Sequence, residues 1–496
     1  MINSGQSISI KSRASFQIIQ TKFGSFRKCT IKDIFLISII FIISRLLFRY
    51  FLRLKFDSSI LGGYQFLDPA WLKKLHIIYI FKYLHMQPPL FNIFTSISFK
   101  MFHDTNKFWQ LIFFILGLIN SILLYICGIS LNINRILLII FIFLFWIFNP
   151  SVILYENWYF YTYPAAFLFT SYITYFTLGI KKNHTLCFFL SFLSLSILIY
   201  TRAIFQIILF PLIWIFIFLY ARHNFKKILL TSLIPFLLSF TLYLKNFLIF
   251  GICTTSSWQG MNLYKGISKV LYILEKDENY KSITFNPVEN YEKFIDFKKT
   301  NVMILDEKYK PSFNAINFNH IIYIKVSKMF MDKYLKHIFQ KPYLPVLSIL
   351  AGLAIFSKPP YEYMKTWSNF NYQKLCRIPL YFIIYNFLNL YFKEVMKASP
   401  FFFVFLILVI IYMILSFHRK NIEFKIIYAN LIYFMIISSL DVGENNRFRF
   451  EIEGILFICI LNIILDMVSK RNFHKKVQNL LNWLSKTIRI CHRSEG

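Results

Sequence analysis

Long apolar runs rich in Phe, Ile and Leu repeat along the chain and are broken by short basic or aromatic-polar segments. A helix needs about 20 mostly apolar residues to cross a bilayer. Runs of roughly that kind cover 33–52, 108–131, 136–152, 159–180, 185–200, 203–220, 228–250, 399–417, 424–440 and 453–469. The pattern predicts an all-α polytopic membrane protein with a bundle of ten transmembrane helices. Two further stretches, 342–356 and 378–392, are apolar but short and interrupted. They read as helices on the membrane surface or packed on the bundle, and the number of spans is twelve if both cross.

The same pattern divides the chain. A basic N-terminus (1–32) precedes a transmembrane core (33–250) that includes a first external loop, 53–107. A large external region (251–398), C-terminal transmembrane helices (399–469) and a basic tail (470–496) follow. No internal repeat is visible, so an inverted-repeat transporter gains no support.

Composition agrees. Of 496 residues, 57% are hydrophobic and 16% charged, with 60 Phe. Soluble proteins are about 45–50% apolar and about 25% charged, so disorder, a collagen-like chain, a disulfide scaffold and a soluble enzyme are excluded. The seven Cys include no CxxC pair, so neither a zinc site nor a redox motif is signalled. The net charge of +32 suits contact with anionic lipid head groups and phosphates. Nucleic-acid binding is not indicated, because the cations are spread along the chain without a recognition motif.

Charge also orients the bundle. Lys11, Arg13, Lys22, Arg27, Lys28 and Lys32 precede the first span, and Lys470, Arg471, Lys475 and Lys476 follow the last. Short loops carry Arg135, Lys181, Lys182, Arg222, Lys226, Lys227, Arg419, Lys420 and Lys425. Positive loops stay inside, so both termini are expected in the cytoplasm.

Ionisable groups within or beside a membrane are costly and tend to mark function. Here they gather at the expected external ends of helices. The first external loop holds Asp68 before Pro69, then His85-Met86-Gln87-Pro88-Pro89-Leu90-Phe91. The next external turn reads Tyr155-Glu156-Asn157-Trp158. Arg202 and Lys245 sit at external helix ends, Ser256-Ser257-Trp258 follows, and the last external turn carries Glu444-Asn445-Asn446-Arg447-Phe448-Arg449. Carboxylates with cations for a phosphate are the equipment of a transfer site. Each member also has a structural reading. Asp68 could cap a helix, His85 could be a hydrogen-bonded brace, and Glu156 could sit in an interfacial network. Arg202 and Lys245 could snorkel to lipid phosphates. Arg447 and Arg449 could pair with Glu444 and Glu451.

An acidic residue in a long first external loop, followed by a His-x-x-Pro-Pro segment opening a helix, resembles the GT-C membrane glycosyltransferases. The likeness is to the protein O-mannosyltransferase and lipid A aminoarabinose transferase superfamily, in an uncharacterised branch. It rests on Asp68, on His85 to Phe91 and on the multi-span core to about residue 250. This chain departs from the family in having a single acidic residue in that loop and no large external C-terminal domain.

The resemblance implies transfer of a sugar from a polyprenyl-phosphate donor to a hydroxyl of a lipid, glycan or protein acceptor on the external face of a bacterial cell membrane. Asp68 would be the general base, with Glu156 and His85 beside it. Arg202, Lys245, Arg447 and Arg449 would hold the donor phosphate, and Gln87, Asn157, Trp258 and Glu444 would position substrate. Oxygen ligands on that face would suit magnesium or manganese, although no spacing demands a metal. The competing expectations are a transporter or lipid flippase, and an O-antigen ligase or polymerase.

Overall fold

The computed structural model describes residues 31–63, 65–276, 286–358, 360–364, 369–376, 401–440 and 444–469. The basic N-terminal segment, the basic tail and the stretch 378–392 lie outside the described residues. A helix over 31–52 (α1) is followed by α2 (Pro69–Lys74), α3 (Ile77–Tyr83) and α4 (Leu90–Met101). Next come α5 (Thr105–Ser130), α6 (Arg135–Ile142), a π-turn, α7 (Pro150–Glu156), α8 (Thr162–Lys182), α9 (Thr185–Thr201), α10 (Leu209–Tyr220) and α11 (Arg222–Phe250). The segment after α11 contains α12 (Gln259–Glu275), the short α13 (Val288–Glu292) and α14 (Met303–Asp306), and an antiparallel hairpin of β1 (Tyr309–Lys310) and β2 (Ala315–Ile316). It continues through α15 (Ile322–Gln340), α16 (Leu344–Phe356) and α17 (Asn369–Cys376). The chain closes with α18 (Phe401–Ser416), α19 (Ile422–Ser439) and α20 (Asn445–Ser469).

Local chemistry sets the breaks. Asn134 Oδ1 accepts from the amides of Ile136 and Leu137 to open α6, the usual work of an Asn cap. Pro150 lacks an amide hydrogen, and Asn149 caps a new start there, so α6 and α7 form a pair bent by 55°. Gly251 closes α11 with φ of +68°, a conformation that only glycine adopts without strain.

Helix occupies part or all of each of the ten predicted segments. Three helices among the described residues are long and apolar enough to cross a membrane: α5, α11 and α19. The bent pairs α6–α7 and α15–α16 would raise that to five. Segment 203–220 becomes helical only at Leu209, because Arg202 is extended and turns occupy the residues after it. Helix α8 falls short in apolarity for a different reason. It packs against α5, α9 and α20, so Thr162, Thr170, Ser171, Thr174 and Thr177 face protein. A helix shielded from lipid does not need an apolar surface. Helix α11 is the opposite case, with Leu230, Ile234, Leu237 and Leu248 exposed.

Two hydrophobic cores result. One fills the bundle. The other joins Leu67, Trp71, Leu72, Ile80, Leu84 and Met86 to Trp258, Met261, Leu271, Phe318, Tyr323 and Val326. The part of the first external loop from Leu67 to Met86 therefore packs with the region after 251, while Leu54, Ile60, Leu61, Phe66 and Phe91 of the same loop pack in the bundle core. The Leu67 to Met86 part and the region after 251 form a cap. Stretch 342–356 becomes α16, which leaves α15 at 111° and packs on α12, α19 and α20. The cap meets the bundle closely at two glycines. A methyl at Gly266 would lie 2.3 Å from Leu440 O, and one at Gly352 would lie 2.2 Å from Ser439 O.

Asn319 fastens the cap. Its Oδ1 accepts from the amides of His85 (2.9 Å) and Met86 (3.3 Å). Its Nδ2 donates to the carbonyls of Tyr83 (3.1 Å) and Ile304 (3.3 Å). Each buried polar group left unmet costs about 1–3 kcal/mol. Asn319→Ala is expected to lower stability by about 3 kcal/mol, read as a fall in thermal midpoint of the full chain in detergent, whereas alanine at exposed Asp332 leaves the midpoint unchanged.

Candidate functional site

A hollow of about 390 Å³ opens where the cap rests on the bundle. Its cationic wall is built by α9 and α20. Arg202 ends α9 with its backbone extended, which turns the guanidinium inward. There Nε meets Glu451 Oε1 at 2.8 Å and Nη1 donates to the Tyr161 hydroxyl at 2.8 Å. Arg447, one turn into α20, pairs through Nη2 with Glu444. Its guanidinium carbon lies 4.8 Å from the centroid of Phe160 and 5.1 Å from that of Tyr363. Tyr363 donates to Glu444 Oε1 at 3.1 Å. Both arginines are almost wholly buried, yet Arg202 Nη2 and Arg447 Nε and Nη1 have no hydrogen-bond partner among the described residues. Buried guanidinium donors without partners are costly, and those of Arg202 and Arg447 can take further acceptors beyond Glu451 and Glu444.

The rest of the lining is largely polar and includes the cation Lys265. Gln65, Gln87, Gln206, Thr255, Ser256 and Asn262 belong to it, with the ring of Trp258 among them. Partial burial acts to raise the Glu444 carboxyl, but Arg447, Lys265 and Arg202 outweigh it and hold the group below the ordinary carboxylate range.

No family model matches this chain. No curated protein and no solved structure matches it either. The site is therefore read from its geometry.

Of the residues singled out in the sequence, Gln87, Trp258, Arg202, Glu444 and Arg447 share the hollow. The others do not line it. Asp68 caps α2 and is fully buried. Its Oδ1 accepts from Ala70 N (2.7 Å) and Ser312 Oγ (2.6 Å), and its Oδ2 accepts from Ser312 N (2.8 Å). A carboxylate so engaged joins the loop before α2 to the hairpin, and a substrate hydroxyl has no access to it. His85 is also a brace. Asn319 O can only accept, so His85 Nε2 carries the proton and donates to it at 2.9 Å, and Nδ1 accepts from Ser257 Oγ at 2.8 Å. Lys245 donates to Leu84 O at 2.7 Å. Arg449 is held by Ser357 O at 2.9 Å and Glu453 at 3.2 Å. Glu156 pairs with Arg45 at 2.8 Å and, with Asn157, lines a different cavity.

A divalent cation fits poorly. Asp68, Glu156 and Glu444 have separate partners, and the described residues contain no group of three or more His, Cys, Asp or Glu able to hold a metal.

Tyr161, Gln206, Asn262 and Glu451 were not anticipated as site residues. Glu451 could have been, because it lies four residues after Arg447 on one helix face. The amides carry no signal of their own in sequence.

The roles of Asp68 and His85 give two expectations. Asp68→Asn removes the charge and one acceptor, and is expected to cost on the order of 1–2 kcal/mol of stability, read by thermal unfolding. Burial, and then the charge of Lys245, push the His85 imidazole from 6.5 down to about 3. The folded state thus binds fewer protons than the unfolded one between those values. The stability due to neutral His85 is complete above pH about 6.5 and is lost as pH falls toward about 3, with a slope of at most about 1.4 kcal/mol per pH unit. His320, lowered to about 4 mainly by burial, adds in the same direction. His85→Gln should flatten the pH dependence of unfolding between pH 7 and 4.

Proposed function

We propose that this chain is a multi-pass membrane glycosyltransferase that moves a sugar from a polyprenyl-phosphate donor to an acceptor hydroxyl. The observation that carries the reading is the hollow itself. Unmet arginine donors on one wall face amides, hydroxyls and an indole on the other. A phosphate supplies the missing acceptors, and charge-assisted hydrogen bonds of that kind are strong. Amides and hydroxyls match the hydroxyls of a sugar, and the Trp258 ring offers a face for its C–H groups.

In this reading Arg202 and Arg447 hold the donor phosphate. The acceptor oxygen attacks the anomeric carbon as the bond from that carbon to the phosphate oxygen breaks. The electron pair leaves on the phosphate, where the two guanidinium groups stabilise it. Glu444, a carboxylate lining the hollow, takes the acceptor proton. An arriving phosphate competes for Arg447 and places negative charge beside Glu444. Both effects raise its basicity. Gln87, Trp258 and Asn262 orient the sugar.

In this reading the basic short loops, where Arg135 meets Asp33 at 3.0 Å and Lys181 binds Ser130 O at 2.8 Å, lie at the cytoplasmic end. With both termini cytoplasmic, the hollow lies at the external face of a cell membrane, where a lipid-linked donor is presented and nucleotide sugars are absent. Asp68 and His85, which carry the sequence resemblance to the GT-C enzymes, do not line the hollow, so the reading rests on the residues of the hollow itself.

The test is to incubate purified protein with a panel of polyprenyl-phosphate sugars and an acceptor mixture, and to measure released polyprenyl phosphate. Release is expected with at least one donor. Glu444→Gln should reduce it by about 10²-fold or more, the usual scale for a general base, while Asp68→Asn keeps the activity of its folded fraction. Absence of release from every donor would sink the reading.

A further inference from the structure

A second cavity, larger than the first, lies between α1, α5 and α7. It measures about 540 Å³ and takes no part in the transfer reaction proposed above. Its lining is divided by chemistry. Arg45, Arg49, Lys107, Gln110, Glu156 and Asn157 supply the polar side. Leu46, Phe48, Leu54, Leu111, Phe114 and Ile153 supply the apolar side. Below it, α1 exposes Phe35, Ile39, Ile42 and Ile43, and α5 exposes Leu111, Ile115 and Ile119. An apolar track therefore runs along two helices toward a cluster of cations.

The central cation is fixed in advance. Arg45 is almost wholly buried. Its Nε is held by Glu156, and its Nη1 donates to Ile147 O at 2.5 Å and to Ser44 Oγ at 3.1 Å. The Phe41 ring lies 4.2 Å from the guanidinium carbon. Every part of this guanidinium is engaged except Nη2, which is buried without a partner among the described residues. By the 1.5 Å rise of a helix, Arg45 sits roughly 10 Å inside the end of α1. An arginine at such depth with an unmet donor is a functional signal. Arg49 lies one turn above on the same face, and Lys107 faces it from the start of α5. Both are exposed, and Lys107 has only Asp104, on its own helix, as an ion-pair partner among the described residues. With Glu156 on Arg45 and Asp104 on Lys107, three cations meet two carboxylates, and the net positive charge falls at the exposed Arg49, where a phosphate can be received beside Arg45 Nη2 and Lys107.

We propose that the groove between α1 and α5 binds a phosphate-bearing lipid, with the phosphate at Arg45, Arg49 and Lys107 and the hydrocarbon chain along the exposed faces of the two helices. This site is separate from the hollow around Arg447, and the inference does not depend on the transfer reaction. A free phosphate shares the head-group chemistry but has nothing to place on the track.

The test uses the full chain in detergent, with native mass spectrometry to count and titrate bound ligand. The probes are farnesyl phosphate, farnesol and inorganic phosphate. Farnesyl phosphate is expected to bind, with farnesol and inorganic phosphate at least tenfold weaker. Arg49→Gln with Lys107→Gln is expected to weaken farnesyl phosphate binding by tenfold or more. Both positions are exposed, so the variant keeps the fold, checked by an unchanged thermal midpoint. Equal binding of farnesol would overturn the phosphate contact. Equal binding of inorganic phosphate would overturn the lipid track. Undiminished binding by the double variant would remove the groove as the site.

Discussion

A charge enclosed by hydrocarbon must meet its opposite, and that requirement fixes which helices of this protein lie side by side. Arg45 with Glu156 ties α1 to α7. Arg202 with Glu451 ties α9 to α20. Lys420 with Asp466 ties the end of α18 to α20. Breaking one partner of such a pair strands a buried charge at a cost of several kcal/mol, although the intact pair adds little net stability. The pairs therefore specify arrangement more than they supply energy. Packing of Phe, Tyr and Trp fills the space between them, as where Trp109 stacks on Tyr159 at 3.8 Å.

Within this scheme the guanidinium groups of Arg45, Arg202 and Arg447 are only partly met, and they border the two cavities. Arg449 offers the contrast. It lies two residues from Arg447 on the same helix, but a carbonyl and a carboxylate take it up inside the bundle. Neighbouring arginines on one helix point to different faces, so one is structural and the other borders a hollow.

The legible part of the structure is the part that depends on periodicity. Apolar runs correspond to helix in part or all of every predicted segment, whereas the break at Asn149-Pro150 falls inside segment 136–152, which the apolar pattern reads as one span. The cap was less legible. Its core pairs residues 67–86 with residues 258–344, and nothing in the local pattern of either announces the other. The candidate site was legible in half. Gln87, Trp258, Arg202, Glu444 and Arg447 do meet. Asp68 and His85 lie on the same loop as Gln87, yet both take the structural option open to an Asp before Pro or a His in a tight turn. Sequence cannot choose between a cap and a base, because the choice depends on Ser312 arriving from the distant hairpin. Arg45 lies within the apolar run 33–52 and is not among the residues singled out in the sequence, although an ionisable group inside such a run is itself a signal.

The cap has a bearing on biosynthesis. Its two halves are separated by more than a hundred residues that form α5 to α11. Segment 67–86 leaves the ribosome long before Asn319 exists to hold His85 and Met86. Until then Leu67, Trp71 and Leu72 have no partner core. Helices α5 to α11 are made while that early loop waits, so the interval between translating residue 86 and residue 319 is one in which the nascent chain is exposed to misassembly.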